Sequence, residues 1–219
     1  MAIDVFVSVG RPATDSQERF VSQIEARLRA SGFNPRTVGR NAFSSQQPLR
    51  FIAELMKECK GSVIIAFERV HIESGLERRG SKEEAALSNQ CLPTVWNQIE
   101  AAMAYVQHHP LLVICENGLR SEGLIETGYD WYVQWVGLDE SSLSTSQFNG
   151  TFDDWCRRVT TRAGEVDTDG AASVRPEDVS LGQILAAMTM KQAWSLAAAV
   201  LTFLAGVASA SFWIGQRVG

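Results

Sequence analysis

Ser62-Val63-Ile64-Ile65-Ala66-Phe67 (SVIIAF) is short, almost wholly apolar and rich in β-branched residues. An alternating pattern would mark a strand with one wet face. A continuous apolar run of this length marks a strand covered on both faces, which is the habit of parallel sheets. Two further stretches repeat the pattern: Ile3–Val9 (IDVFVSV) upstream and Leu111–Cys115 (LLVIC) downstream. A weaker strand is expected at Phe33–Val38, and a last, edge strand at Trp131–Val136.

Helical periodicity fills the intervals. After Gly10-Arg11-Pro12, Thr14-Asp15 offers a capping residue, and Phe20, Ile24 and Leu28 recur four apart before Gly32 stops the helix. Pro48–Cys59 carries Leu49, Ile52, Leu55 and Met56 at helical spacing, Thr94–Tyr105 (TVWNQIEAAMAY) is helical, and Asp153–Thr161 closes the domain through Trp155 and Val159. Gly39–Gln47 is expected to be a loop, as is the long polar stretch Glu68–Pro93 with GLERRGSKEEAA at its middle. A loop of that length in a compact domain is usually functional or mobile. The alternation predicts an α/β domain over residues 1–162: an open, mostly parallel five-stranded sheet of flavodoxin-like order 2-1-3-4-5, with helices on both faces.

The chain of 219 residues has a formal net charge of −5 at pH 7, which leaves no electrostatic footprint for duplex nucleic acid. Cys59, Cys91, Cys115 and Cys156 are far apart, form no C-x-x-C and accompany three histidines, so no metal site is expected and the cysteines read as reduced thiols. The N-terminus runs straight into a strand pattern, unlike a secretory signal.

The C-terminal part reads differently. Residues 163–179 are small and acidic, as in a linker, and 180–192 form an amphipathic juxtamembrane helix through Leu181, Ile184, Leu185 and Met188. Residues 193–215 (AWSLAAAVLTFLAGVASASFWIG) contain no charge, with Trp194 and Trp213 near the ends. As a helix they span about 34 Å, enough to cross a hydrocarbon core of about 30 Å. Ser195, Thr202 and Ser209 recur every seven residues, with Ala198, Ala205 and Gly206 between them. Such a stripe suits close helix–helix contact in a homo-oligomer. An Ala-rich buried core helix is the alternative.

Ligands of open α/β sheets bind beyond the carboxyl ends of the strands, at the switch in strand order. That rule gathers a candidate nucleotide-binding set: Ser8, Gly10, Arg11, Arg40, Glu68, Arg69, Trp96, Asn97 and Glu116. The arginines suit phosphates and Trp96 suits base stacking. The simpler alternatives are an Arg69 paired with Glu68 or Glu73, and a Trp96 buried in the core.

VFVSVG (residues 5–10), the helix ending in SGF (31–33), SVIIAF and the later EAAMA (100–104) resemble the TIR domain and its relatives the nucleoside 2-deoxyribosyltransferases, over Ile3 to Val136. In catalytic members a glutamate on the helix after the third strand contacts the ribose of NAD or of a nucleoside. The resemblance places Glu100 in that role, as the carboxylate that steadies oxocarbenium-like charge or acts as nucleophile. The chain departs from the TIR pattern in three ways. Trp96 stands four residues before Glu100 rather than three, the transferases' aspartate has no clear counterpart, and the Glu68–Pro93 insert falls where the family's binding loop lies.

Small TIR-like domains joined to membrane helices resemble effectors of bacterial anti-phage systems. That resemblance implies a soluble domain on the cytoplasmic side of the inner membrane, which senses a nucleotide second messenger or a partner enzyme while oligomerised tails permeabilise the membrane. The alternative is a membrane-anchored enzyme that cleaves NAD or another nucleotide with Glu100. An anchored interaction module without ligand chemistry is a third.

Overall fold

The computed structural model describes residues 2–164 apart from Tyr129. The expected segments 180–192 and 193–215, and all but the first two residues of the 163–179 linker, lie outside the described residues. Among the described residues no helix is long and apolar enough to cross a membrane.

The elements run β1 (Ile3–Val9), α1 (Asp15–Ala30), β2 (Phe33–Arg36), α2 (Pro48–Glu58), β3 (Ser62–Ala66), β4 (Val70–Glu77), β5 (Ala85–Leu92), α3 (Val95–Val106), β6 (Leu111–Glu116), β7 (Val133–Val136) and α4 (Ser146–Gly164). The main sheet has the order β2-β1-β3-β6-β7, and every neighbouring pair in it is parallel. Counting only these five strands, this is the expected 2-1-3-4-5 order. Pro35 lies in β2, an edge strand, where a missing N–H is tolerated.

Strand alternation sorts the core into two layers. Val5, Val7, Val63, Ile65, Leu112 and Ile114 meet Phe20, Ile24 and Leu28 of α1 and Phe148, Phe152, Trp155 and Val159 of α4. The intervening residues Phe6, Ile64, Ala66, Val113 and Cys115 meet Ile52, Leu55 and Met56 of α2 and Ala101 and Ala104 of α3. Each central strand therefore feeds both layers, which is why SVIIAF has no polar face. Burial of each large side chain contributes roughly 1.5–3 kcal/mol.

The structure corrects three expectations. Glu68–Pro93 is not an irregular loop: it holds an antiparallel hairpin, β4–β5, forming its own two-stranded sheet. Apolar Val70, Ile72 and Leu76 alternate with polar residues there, so the hairpin presents a ribbon rather than a buried strand. The closing helix α4 begins at Ser146, seven residues earlier than Asp153. Phe148 and Phe152 sit four apart and fall under α1, and this burial outweighs the poor helix propensity of Asn149, Gly150 and Thr151. Ala163 and Gly164, assigned to the linker, complete the last turn of α4.

Candidate functional site

The strand order reverses between β1 and β3, so the chain leaves these two strands toward opposite sides of the sheet. Val9-Gly10-Arg11 exits β1, Phe67-Glu68-Arg69 exits β3, and the N-terminus of α3 lies beside both. Crowding here favours Gly10: a Cβ would stand 3.1 Å from Thr94 Cγ2, a tight contact.

Asn97 pins α3 to the sheet. Its Nδ2 donates to Ser8 Oγ at 3.0 Å and to the Ile65 carbonyl at 3.2 Å, and its side chain is buried. Its Oδ1 accepts from no group among the described residues. One turn further along, Glu100 is 8% exposed. Burial raises its carboxyl from 4.5 to about 7, and the Ser8 hydroxyl, which donates to it, opposes the rise. Ser8 thus links a positioning amide to an acid that is poised to change charge near neutral pH.

Glu100 opens into a cleft of about 300 Å³ lined by Val9, Gly10, Arg11, Val38, Arg69, Thr94 and Trp96, with Pro48 and Ile52 of α2 as its apolar wall. Arg11 and Arg69 are exposed, and neither guanidinium forms an ion pair among the described residues. Trp96 is 44% exposed, so it is a cleft wall and not a core residue. Two exposed cations, an accessible indole and a buried carboxyl with a raised pKa around one cleft suit a phosphorylated, ring-bearing ligand.

A second cleft of about 680 Å³ adjoins the first through Val9, Gly10, Arg11 and Val38, and continues along Thr14, Asp15, Glu18 and Arg40. Here the N-terminus of α1 is capped by Thr14, whose Oγ1 accepts from Gln17 N at 3.2 Å. Arg40 does not present a free charge. Its guanidinium grips both oxygens of Glu18 at 2.7 and 3.0 Å and bonds Glu25 at 3.2 Å. The same contact holds the Glu18 carboxyl below its ordinary range.

The expected set therefore divides. Gly10, Arg11, Arg69, Trp96 and Glu100 share one cleft, with Ser8 behind Glu100. Arg40 belongs to the neighbouring cleft as a paired cation. Asn97, Glu68 and Glu116 hold the scaffold: Glu116 Oε2 accepts from Glu68 N at 2.8 Å, and the Glu68 carbonyl accepts from Gln17 Nε2 at 3.2 Å. The Glu68 carboxylate turns to the hairpin, 3.9 Å from His71 Nδ1. Sequence reasoning missed Val38, Pro48 and Ile52 as cleft residues. Only the sheet order, which sets α2 beside the β1 exit, reveals them.

No family model and no characterised protein matches the sequence. Among solved structures, the chain is similar to the TIR domains of the activated Roq1 resistosome, described as directly recognizing the pathogen effector XopQ. The identity is 11%, the coverage 75% of this chain and 86% of that chain, and the TM-score 0.32. The strand order and the two-layer core, rather than this similarity, carry the flavodoxin-like description of the fold.

Proposed function

We propose that this domain binds a nucleotide at the carboxyl edge of its sheet and cleaves its N-glycosidic bond, with NAD or a related nucleoside as substrate. The observation that carries this reading is Glu100: a buried carboxyl, raised to about 7, on the wall of a cleft that also holds the exposed Arg11 and Arg69. Loss of a nicotinamide or base leaves oxocarbenium-like charge on the ribose. An ionised Glu100 beside that ring stabilises the charge until water adds to the anomeric carbon and releases a proton to solvent, or captures it as an ester that water then hydrolyses. Arg11 and Arg69 take the phosphates, and Trp96 offers a face for the base. Low dielectric around Glu100 strengthens its attraction to a developing cation, although it makes the carboxyl harder to ionise beforehand.

The test is consumption of NAD and of purine nucleosides by purified protein, wild type against Glu100→Gln. Glu100→Gln keeps the shape and the Ser8 contact but carries no charge. It is expected to abolish turnover while leaving nucleotide binding within a few fold, and wild-type turnover is expected to rise as pH increases through about 7. Full turnover in Glu100→Gln would remove Glu100 from the mechanism.

A second reading rests on the uncharged sequence 193–215 with its stripe of Ser195, Ala198, Thr202, Ala205, Gly206 and Ser209. In it the domain is the sensor of an anti-phage effector: a nucleotide signal or a partner enzyme engages the cleft, and oligomerised tails permeabilise a bacterial inner membrane. Membrane depolarisation that persists in Glu100→Gln would favour this reading over the enzymatic one.

A further inference from the structure

The β4–β5 hairpin brings together three side chains that the sequence keeps apart. Glu68 stands just before β4, His71 is its second residue and Cys91 lies twenty residues on, near the end of β5. Antiparallel register sets His71 directly opposite Cys91. The His71 Nδ1–Cys91 Sγ distance is 3.4 Å and the His71 Nδ1–Glu68 Oε2 distance is 3.9 Å. One donor atom from each of the three lies within 4.8 Å of the others. Tetrahedral zinc, with bonds of about 2.0–2.3 Å, places its donor atoms roughly 3.3–3.8 Å apart, so these side chains need shift only slightly to share an ion.

The backbone around the cluster is fixed from several directions. Glu68 N donates to Glu116 and the Glu68 carbonyl accepts from Gln17. Arg69 N donates to the Leu92 carbonyl at 2.8 Å, and the Cys91 carbonyl accepts from Arg120 N at 2.8 Å. A cluster on a free loop would lose backbone conformational entropy on binding, and here these hydrogen bonds already order the backbone.

We propose that Glu68, His71 and Cys91 form a zinc site at the base of the β4–β5 hairpin, with three protein donors and a fourth position open to water or a ligand. A thiolate, an imidazole and a carboxylate form a borderline donor set suited to zinc, whereas calcium and magnesium take oxygen donors. Binding replaces the thiol proton of Cys91, which passes to solvent. The ion ties the hairpin to the β3 exit one residue from Arg69, so it stiffens the rim of the cleft. The zinc site is independent of Glu100, and the failure of either assignment leaves the other standing.

Full-length protein in detergent, stripped with chelator, reloaded with zinc and freed of excess by gel filtration, is expected to retain stoichiometric metal by elemental analysis. Cobalt(II) in its place is expected to give the near-ultraviolet thiolate charge-transfer band. Cys91→Ser and His71→Ala are expected to lose the band and the retained zinc, while Cys156→Ser, on α4, keeps both. His71 is exposed, so its truncation tests the site without disturbing the core. Matched far-ultraviolet circular dichroism of the stripped proteins verifies the fold. Failure of the wild type to retain zinc, or undiminished binding and cobalt absorption in His71→Ala, would overturn the assignment.

Discussion

Two buried titrating residues act on stability with opposite signs. His109 is 6% exposed, its Nδ1 lies 2.8 Å from Ser62 Oγ, and burial depresses it from 6.5 to about 4. Between those values the unfolded chain binds the proton and the folded chain does not, so the stability His109 allows at neutral pH is lost as pH falls from 6.5 toward 4. Glu100 runs the other way. Its folded value of about 7 lies above its ordinary 4.5, so the folded state holds a proton that the unfolded state has released. Its contribution is therefore fully present below 4.5 and is lost as pH rises to 7. The difference corresponds to about 3 kcal/mol above pH 7. Glu100→Gln is consequently expected to be more stable than wild type by roughly that amount at pH 8, and to converge with it below pH 5. Chemical denaturation at the two pH values measures this. A variant that loses turnover and gains stability marks a charge kept for chemistry. A destabilised Glu100→Gln at pH 8 would instead make the carboxylate a structural partner.

At the scale of the element, the runs that cross the molecule's centre were the easiest to read. β1, β3 and β6 are buried on both faces, and their sequences contain almost nothing else to decide. The hairpin was hidden because a ribbon with both faces largely wet needs only sparse alternation. Val70, Ile72 and Leu76 supply three apolar positions, and Ser74 interrupts them. The start of α4 was hidden because its helix-forming cause is tertiary: Phe148 and Phe152 lie under Arg27, whose guanidinium stands 4.4 Å from the Phe152 ring centre. The site was half legible for the same reason. Gly10, Arg11, Arg69 and Glu100 sit at strand exits and on the α3 helix beside them, which topology alone collects. Arg40, in the turn after β2, could not be seen as paired, because Glu18 and Glu25 reach it from α1. Close packing of elements also sets a mechanical limit at Gly61, just before β3. A Cβ there would lie 2.5 Å from Val159 Cγ2 and 3.3 Å from Trp155 Cζ2. Gly61→Ala is expected to cost about 1–3 kcal/mol by pushing α4 off the sheet. Adding Val159→Ala is expected to make the double variant more stable than the sum of the two single losses implies, because the second change vacates the space the first one needs. Strict additivity in thermal unfolding would show that the clash is relieved elsewhere.

At the scale of the molecule, the domain supplies a cleft with two exposed cations and an acid, and the sequence beyond it supplies an uncharged stretch of membrane-spanning length. The two proposed readings divide over which of these makes the effect. One apolar helix cannot enclose a path for ions, so permeabilisation requires several chains with their small-residue stripes in contact. Thr202→Leu with Ser209→Leu keeps the segment apolar and long enough to insert, but replaces small hydroxyl residues by bulky ones on the stripe. On the effector reading this double variant is expected to abolish depolarisation in cells expressing the protein, while purified protein still binds nucleotide as the wild type does. On the enzymatic reading the tail only localises the domain, so the double variant keeps full toxicity and Glu100→Gln loses it. Potential-sensitive dye uptake and cellular NAD, followed in the same cultures for both variants, separate the outcomes. NAD loss before depolarisation that depends on Glu100 and not on the tail supports cleavage. Depolarisation that depends on Thr202 and Ser209, with NAD unchanged, moves the function to the membrane and leaves the cleft as its switch.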